Sequence, residues 1–325
     1  MSDVVRIKGC NIRDSKGVIL SDISLSIGER ECVGIIGESG SGKTMTVKAM
    51  LGILPEDVEM EVERIEIDGV DISKLKRRDL RRIRGTNIGL VPQNTVDYLH
   101  PYIRISKQMI DGYLTYHKVS RREALMKATQ LLVHTGIQDT MRVLDSYPSQ
   151  LSGGMRQRVN IAMAMMCSPR LIIADEPTSA LDSIVRHQVA KLFFTLSEEE
   201  GFSILLISHD LEFMRKYCDR IIVMYAGRIV EEAETDKLFS DPQHPYTKAL
   251  LSLVPDFNHD RSKKLPELPG FVPEEDRGRE SCIFMDRCPY ARPECAQAVR
   301  RRDDDGHMVL CNLYGEDEDA DHFGR

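Results

Sequence analysis

Residues 37–44 read Gly37-Glu38-Ser39-Gly40-Ser41-Gly42-Lys43-Thr44. They fit the phosphate-loop pattern G-x-x-x-x-G-K-[ST] at every fixed position. Glycines at 37, 40 and 42 let backbone wrap an anion, because no Cβ blocks the approach or the left-handed conformations such a turn needs. The loop N–H groups, with those of Ser39 and Ser41, then face the phosphates together with a helix N-terminus. Lys43 would reach the β- and γ-phosphates, and the Thr44 hydroxyl would bind Mg²⁺. The bland alternative is a glycine-rich turn before a helix. That turn would need all four fixed positions to match in the right setting by chance.

Other residues have types that could act on a phosphate chain. Asp175 and Glu176 follow four apolar residues, so a buried strand could deliver both acids at its carboxyl end. Asp175 would hold Mg²⁺ through water, and Glu176 would orient or deprotonate an attacking water. A solvated acidic turn explains the pair equally well in isolation. Gln93 closes the run Ile88-Gly89-Leu90-Val91-Pro92, where a buried strand end could aim it at a site or leave it solvated. His209 ends Ser203 to Ser208 and could reach a γ-phosphate, although a lone histidine is more often structural. Ser152-Gly153-Gly154 precedes the helical stretch Met155 to Cys167. Ser152 is a plausible cap there, and the helix start is a second anion-binding N-terminus.

These residues must be positioned by strands and helices. Cys32 to Ile36 reads as a short buried strand and Thr44 to Gly52 as a helix. Residues 4–36 alternate apolar and polar with glycines at 17 and 28, which predicts an antiparallel β layer. Residues 62–72 turn at Asp68-Gly69, a hairpin signal. Lys74 to Arg84 is strongly basic, with Ile72, Leu75, Leu80 and Ile83 on one helical face. It reads as a solvated face more readily than as an anionic-partner patch. Residues 103–145 carry helical periodicity through Ala124, Leu125, Ala128, Leu131 and Leu132. Ile221 to Val230 reads as a final hairpin.

The chain has 325 residues, 42% hydrophobic and 29% charged, with a net charge of −7. That length suits roughly two domains. The acidic balance argues against a nucleic-acid surface. No apolar run approaches the roughly 18 residues of a membrane span, and the first residues lack a secretory pattern. A cytosolic protein that meets the membrane only through a partner is expected. Eight cysteines in such a chain point to metal or free thiols rather than disulfides.

In this order, the motifs resemble those of the ATPase subunit of an ABC transporter over residues ~1–235. Leu151-Ser152-Gly153-Gly154-Met155-Arg156-Gln157 resembles the family signature. Gln93 matches the Q-loop, Asp175-Glu176 the second nucleotide motif, Ser179-Ala180-Leu181-Asp182 the D-loop and His209 the switch histidine. The resemblance implies an α/β fold: a phosphate-loop ABC ATPase core (RecA-like sheet plus antiparallel β layer) with a helical insertion at about 95–160. It implies ATP and Mg²⁺ as ligands, the metal held through Thr44, Gln93 and Asp175. Lys43, Gln93, Glu176 and His209 would be catalytic. Two subunits would sandwich ATP, one supplying the phosphate loop and the other Ser152, Gly153 and Gly154. A soluble ABC ATPase acting on nucleic acid or ribosomes is disfavoured by the single ATPase unit, and a kinase or GTPase has no use for the signature.

One departure stands out. Family members place an aromatic near the end of the second strand to stack on adenine. The matching stretch here is Arg13-Asp14-Ser15-Lys16-Gly17, and no aromatic residue precedes Tyr98. Arg13 or an aliphatic contact would have to substitute.

Residues 236–325 form an extension. His244-Pro245-Tyr246-Thr247 resembles the C-terminal segment of ATPases serving oligopeptide, dipeptide and nickel importers. The resemblance therefore implies peptide import at the cytoplasmic face of the membrane, with nickel or another solute as the alternative. Expected partners are two membrane permeases, an extracytoplasmic solute-binding protein acting indirectly, and a second ATPase subunit, with a heterodimer favoured over a homodimer. Cys282, Cys288, Cys295 and Cys311 have gaps of five, six and fifteen residues. Thiolates suit iron–sulfur clusters and zinc alike, but structural zinc usually shows C-x₂₋₄-C pairs. Members of the resembled subfamily carry similar tails, some with a [4Fe–4S] cluster; Zn²⁺ or no metal are the alternatives. Cys10, Cys32, Cys167 and Cys218 read as packing residues, and residues 315–321 as an acidic tail.

Overall fold

The computed structural model describes residues 3–93, 98–177, 183–253, 270–272 and 277–314. The chain opens with strands β1 (Asp3–Asp14), β2 (Gly17–Gly28) and β3 (Cys32–Ile36), then helix α1 (Lys43–Leu51). Short strands β4 (Glu59–Glu61), β5 (Arg64–Ile67) and β6 (Val70–Asp71) lead to α2 (Arg77–Asn87) and β7 (Ile88–Val91). Four helices follow: α3 (Ile105–Tyr116), α4 (Arg121–His134), α5 (Thr140–Asp145) and α6 (Gly153–Met165). Next come β8 (Leu171–Asp175), α7 (Ser183–Glu200), β9 (Ser203–Ile207), α8 (Leu211–Tyr217), β10 (Arg220–Tyr225) and β11 (Arg228–Glu234). The described chain closes with α9 (Thr235–Ser240), α10 (Pro245–Ser252), β12 (Arg301–Asp304) and β13 (His307–Leu310).

Contacts divide the chain into two interleaved units. The first holds residues 1–7, 25–33 and 64–208. Its centre is three parallel strands: β8 pairs with β7 on one side and β9 on the other. Leu171, Ile172, Ile173, Ile204, Leu205 and Leu206 are fully buried, which is why these strands read as continuous apolar runs. Each such side chain contributes ~1.5–3 kcal/mol by leaving water. Helices α3, α4 and α5 pack on one another, and α6 packs on α4 and β7. Helix α4 starts with a full capping box between Ser120 and Glu123, which fixes its first turn. Helix α2 buries no residue; Leu80 and Ile83 are half-covered, and its basic side chains are exposed except Arg84, which is half-buried.

The second unit holds residues 8–24, 34–63 and 209–325. Within it β10 and β11 form an antiparallel hairpin. Its turn uses Ala226 and Gly227, both at positive φ, as two-residue hairpin turns require. Strand β13 adds to β11, and β12 adds to β13. This second hairpin is absent from the sequence reading, although Asp305-Gly306 is a turn signal of the same kind. No described helix is long and apolar enough to cross a membrane.

Candidate functional site

In the second unit the loop after β3 is shaped as a cradle. Gly37, Gly40 and Gly42 all have positive φ. Lys43 is buried, and its Nζ donates to the Gly37 carbonyl at 2.7 Å, the Glu38 carbonyl at 3.0 Å and Ser41 Oγ at 3.4 Å. The ammonium therefore lies along the loop, where phosphate oxygens can exchange with these acceptors. Gly42 is the N-cap of α1; no side chain caps this end and its first turn carries no acid. An uncapped N-terminus keeps its N–H groups available to an anion. Ser39, Gly40 and Thr44 are exposed, so the Thr44 hydroxyl can reach a ligand at the helix start.

In the first unit β8 delivers Asp175 and Glu176 at its carboxyl end, both half-buried. Glu176 has φ 45°, and its N–H donates to the Ile207 carbonyl at 2.8 Å. This anchors the turn to the end of β9. Gln93, just past β7, donates from Nε2 to Glu176 Oε2 at 2.6 Å. Gln93 and Glu176 are thus brought together across two adjacent parallel strands. Ser152 caps α6 through its hydroxyl, accepting from the Met155 N–H at 3.3 Å. Arg156 Nη1 donates to the carbonyls of Leu151 at 2.8 Å and Pro148 at 3.3 Å, fixing the turn before Gly153. A methyl on Gly154 would come within 2.9 Å of Val185 Cγ1, so α7 approaches closely there. His209, in the second unit, is exposed. Asp182 and the rest of Ser179 to Asp182 lie outside the described residues, as does the acidic stretch 315–321.

Arg13, the proposed substitute for an adenine-stacking ring, pairs with Glu59 at 2.8 Å and Glu61 at 3.5 Å. An Arg13–base contact would compete with these exposed carboxylates. Cys10, Cys32 and Cys218 are buried as expected, but Cys167 is only half-buried. It lies past the end of α6, where the helix stops at Met165 rather than running on.

Of the four cysteines of the extension, Cys282 and Cys295 are joined through their backbones: the Cys282 N–H donates to the Cys295 carbonyl at 3.0 Å. Burial pushes the Cys282 and Cys288 thiols up and the Cys311 thiol up to about 12, and the neighbouring cysteines add to the effect. Soft sulfur donors fit iron–sulfur or zinc chemistry. Yet no group of three or more His, Cys, Asp or Glu among the described residues is arranged to hold a metal ion. The expected ligand set is therefore not formed in this structure.

The His-Pro-Tyr segment has a clear local chemistry that its sequence alone did not disclose. His244 is the N-cap of α10, its Nδ1 accepting from the Tyr246 N–H at 3.0 Å, and Pro245 takes the first helical position. The buried Glu231 carboxylate accepts from the N–H groups of Gln243 (2.6 Å) and His244 (2.9 Å) and pairs with His307 Nε2 at 2.7 Å. One acid of β11 thus ties α10 and β13 to the hairpin. Burial lowers the His244 pKa to about 4, against an opposing pull from Glu231. Below the ordinary histidine value near 6.5 the unfolded chain takes a proton that the folded one refuses. Stability is therefore complete above that value and is lost as pH falls towards 4. We expect about 2 kcal/mol less unfolding free energy at pH 5 than at pH 7 from this residue. Denaturant titrations should show the slope in wild type and a flatter profile in His244→Asn, which keeps a capping oxygen.

Comparison with known proteins decides the family. The family described as "ABC transporter" matches residues 20–179, and "Oligopeptide/dipeptide transporter, C-terminal region" matches residues 230–295. The "Probable peptide ABC transporter ATP-binding protein y4tR" of Sinorhizobium fredii is 40% identical over 295 residues, spanning 90% of this chain and 88% of that one. The chain belongs to the ABC transporter ATP-binding proteins. Within this family the "Dipeptide transport ATP-binding protein DppD" of Escherichia coli is 38% identical over 273 residues, covering 84% of this chain and 83% of that one. Among solved structures, cbiO1 from Clostridium perfringens, part of the ABC transporter complex cbiONQ, superposes with a TM-score of 0.65 at 26% identity. It covers 74% of this chain and 92% of its own. The bacterial ABC transporter cassette MJ0796, described as dimeric, gives 0.62 at 28% identity, over 71% and 98% of the two chains. The ABC cassette expected from the motifs is thus the fold observed.

Proposed function

We propose that this ABC subunit hydrolyses ATP to power peptide import, working at the cytoplasmic face of the membrane with two permease subunits. The observation that carries the catalytic part is the 2.6 Å contact between Gln93 and Glu176 at the ends of neighbouring parallel strands. An acid paired with an amide supports a reading in which the two hold a water for in-line attack. The peptide part rests on the C-terminal region match and on the relatives' names.

Gly37 to Thr44 would bind the phosphates, with Lys43 leaving its loop carbonyls for the β- and γ-oxygens. Thr44, Gln93 and Asp175 would each supply an oxygen donor of the kind that suits Mg²⁺. Bound there, the ion would neutralise charge on the phosphates. Glu176 orients the water and takes its proton as the water oxygen bonds to the γ-phosphorus. The bond to the β-bridging oxygen breaks, and ADP and phosphate leave. His209 would contact the γ-phosphate. Ser152, Gly153 and Gly154 would close on ATP held by a second ATPase subunit, and Asp182 would lie near that contact. The second subunit is a related chain in preference to a second copy.

For Cys282, Cys288, Cys295 and Cys311 we propose a [4Fe–4S] cluster, with zinc as the second reading. Their grouping in the sequence and their soft donor chemistry support it. Anaerobic purification of the tagged subunit from host membranes tests both proposals. Two permeases and a second ATPase should co-purify, with about four iron and four sulfide per chain. Co-purification of ribosomal or nucleic-acid partners instead would contradict the transport reading, and an iron-free, colourless preparation would contradict the cluster.

A further inference from the structure

Glu38 is the acid of the phosphate loop, and it is held at three points. Its carbonyl accepts from Lys43 Nζ at 3.0 Å. Its N–H donates to the Tyr246 hydroxyl at 2.8 Å. Its carboxylate takes two parallel bonds from Arg287: Nη1 to Oε2 at 2.7 Å and Nη2 to Oε1 at 3.0 Å. Two of the three partners come from the C-terminal extension, Arg287 lying 249 residues further along the chain.

This contact is built, not incidental. The Arg287 side chain is 7% exposed and that of Glu38 29%. Arg287 also donates to the Tyr225 hydroxyl at 3.3 Å, with its guanidinium carbon 5.7 Å from that ring's centre. Tyr225, Tyr246 and Phe284 are buried against one another, with centroids 4.7–5.5 Å apart. The ring cluster fixes both the tyrosine hydroxyl and the guanidinium. Forked pairing of this kind fixes direction as well as charge. Arg277, also in the extension, brings its Nη2 within 3.8 Å of where a methyl on Gly40 would lie.

A carboxylate beside a triphosphate site works against binding, since like charges repel strongly where water is partly excluded. We propose that Arg287 is a positioning residue for the nucleotide site: it neutralises Glu38, holds its carboxylate in one place, and so lets the phosphate loop accept the triphosphate. The extension thereby sets the nucleotide affinity of the ATPase core. This inference rests on the reading of residues 37–44 as the ATP site.

The test measures Mg-ATP affinity of the full-length subunit by displacement of a fluorescent ATP analogue, alongside thermal unfolding. Wild-type protein should bind, which upholds the ATP-site reading independently. Arg287→Ala should weaken binding about tenfold, or ~1.4 kcal/mol, and Arg287→Lys should recover part of that. The decisive variant is Glu38→Gln combined with Arg287→Ala. Removing the stranded carboxylate should restore affinity to within about threefold of Glu38→Gln alone, an outcome that lost packing would not give. Should Arg287→Ala fail to fold, Arg287→Gln keeps the stem and is read the same way. Binding by the Arg287 variants within twofold of wild type, or no rescue in the double variant, overturns the proposal. A wild-type protein that binds no ATP overturns the site reading and this inference with it.

Discussion

Glu176→Gln should bind Mg-ATP within about threefold of wild type and turn it over at least ~100-fold more slowly. The substitution keeps the size and planarity of the side chain at the end of β8. It removes the one property the proposed step requires, a basic oxygen to take the proton of the attacking water. The Gln93 contact at 2.6 Å would become a neutral amide–amide bond, about half as strong as one to a carboxylate. The phosphate loop is not altered, so ground-state binding should persist. Phosphate release at saturating ATP, paired with a binding titration, separates the two quantities. Turnover within tenfold of wild type would remove Glu176 from its assigned role.

Gly37→Ala should lower nucleotide affinity at least ~100-fold, a loss of ~2.7 kcal/mol. At φ 152° an added Cβ would sit 2.2 Å from the Met224 carbonyl oxygen and 2.8 Å from Ser41 Oγ. A backbone carbonyl in β10 cannot swing aside as a long side chain can. The loop must therefore move, and the positions of the Lys43 amine and the α1 N-terminus move with it. Displacement titrations with a fluorescent ATP analogue, on protein shown to fold by circular dichroism, check this. Affinity within threefold of wild type would mean that the cradle tolerates a side chain at its first glycine.

Much of the candidate site's local structure was legible because its determinants are local. The phosphate loop is eight consecutive residues, and the helix it opens begins where Gly42 ends the turn. Strands β8 and β9 are runs of five residues that alternate nothing, which is what burial on both faces produces. The Ser152 cap follows from one residue and the helix after it. The missing parts depend on pairings distant in sequence. Nothing in the spacing of Glu38 and Arg287 reveals that they meet, nor that Tyr246 bonds the same loop residue. Glu231 could have been read as an ordinary alternating strand acid, yet its carboxylate holds two backbone N–H groups and a histidine. The β12–β13 hairpin could have been found from Asp305-Gly306 beside Met308-Val309-Leu310. The four-cysteine grouping was visible as composition, whereas the arrangement of its sulfurs was not.

Peptide uptake by the assembled transporter is the most direct measure of whether this subunit converts ATP hydrolysis into import. Proteoliposomes would carry the assembled transporter, with ATP on the side of its ATP-binding subunits and labelled peptide on the other. The account predicts uptake that requires ATP and is abolished when Glu176→Gln replaces the wild-type chain. Uptake that proceeds without ATP, or that survives Glu176→Gln unchanged, would contradict it.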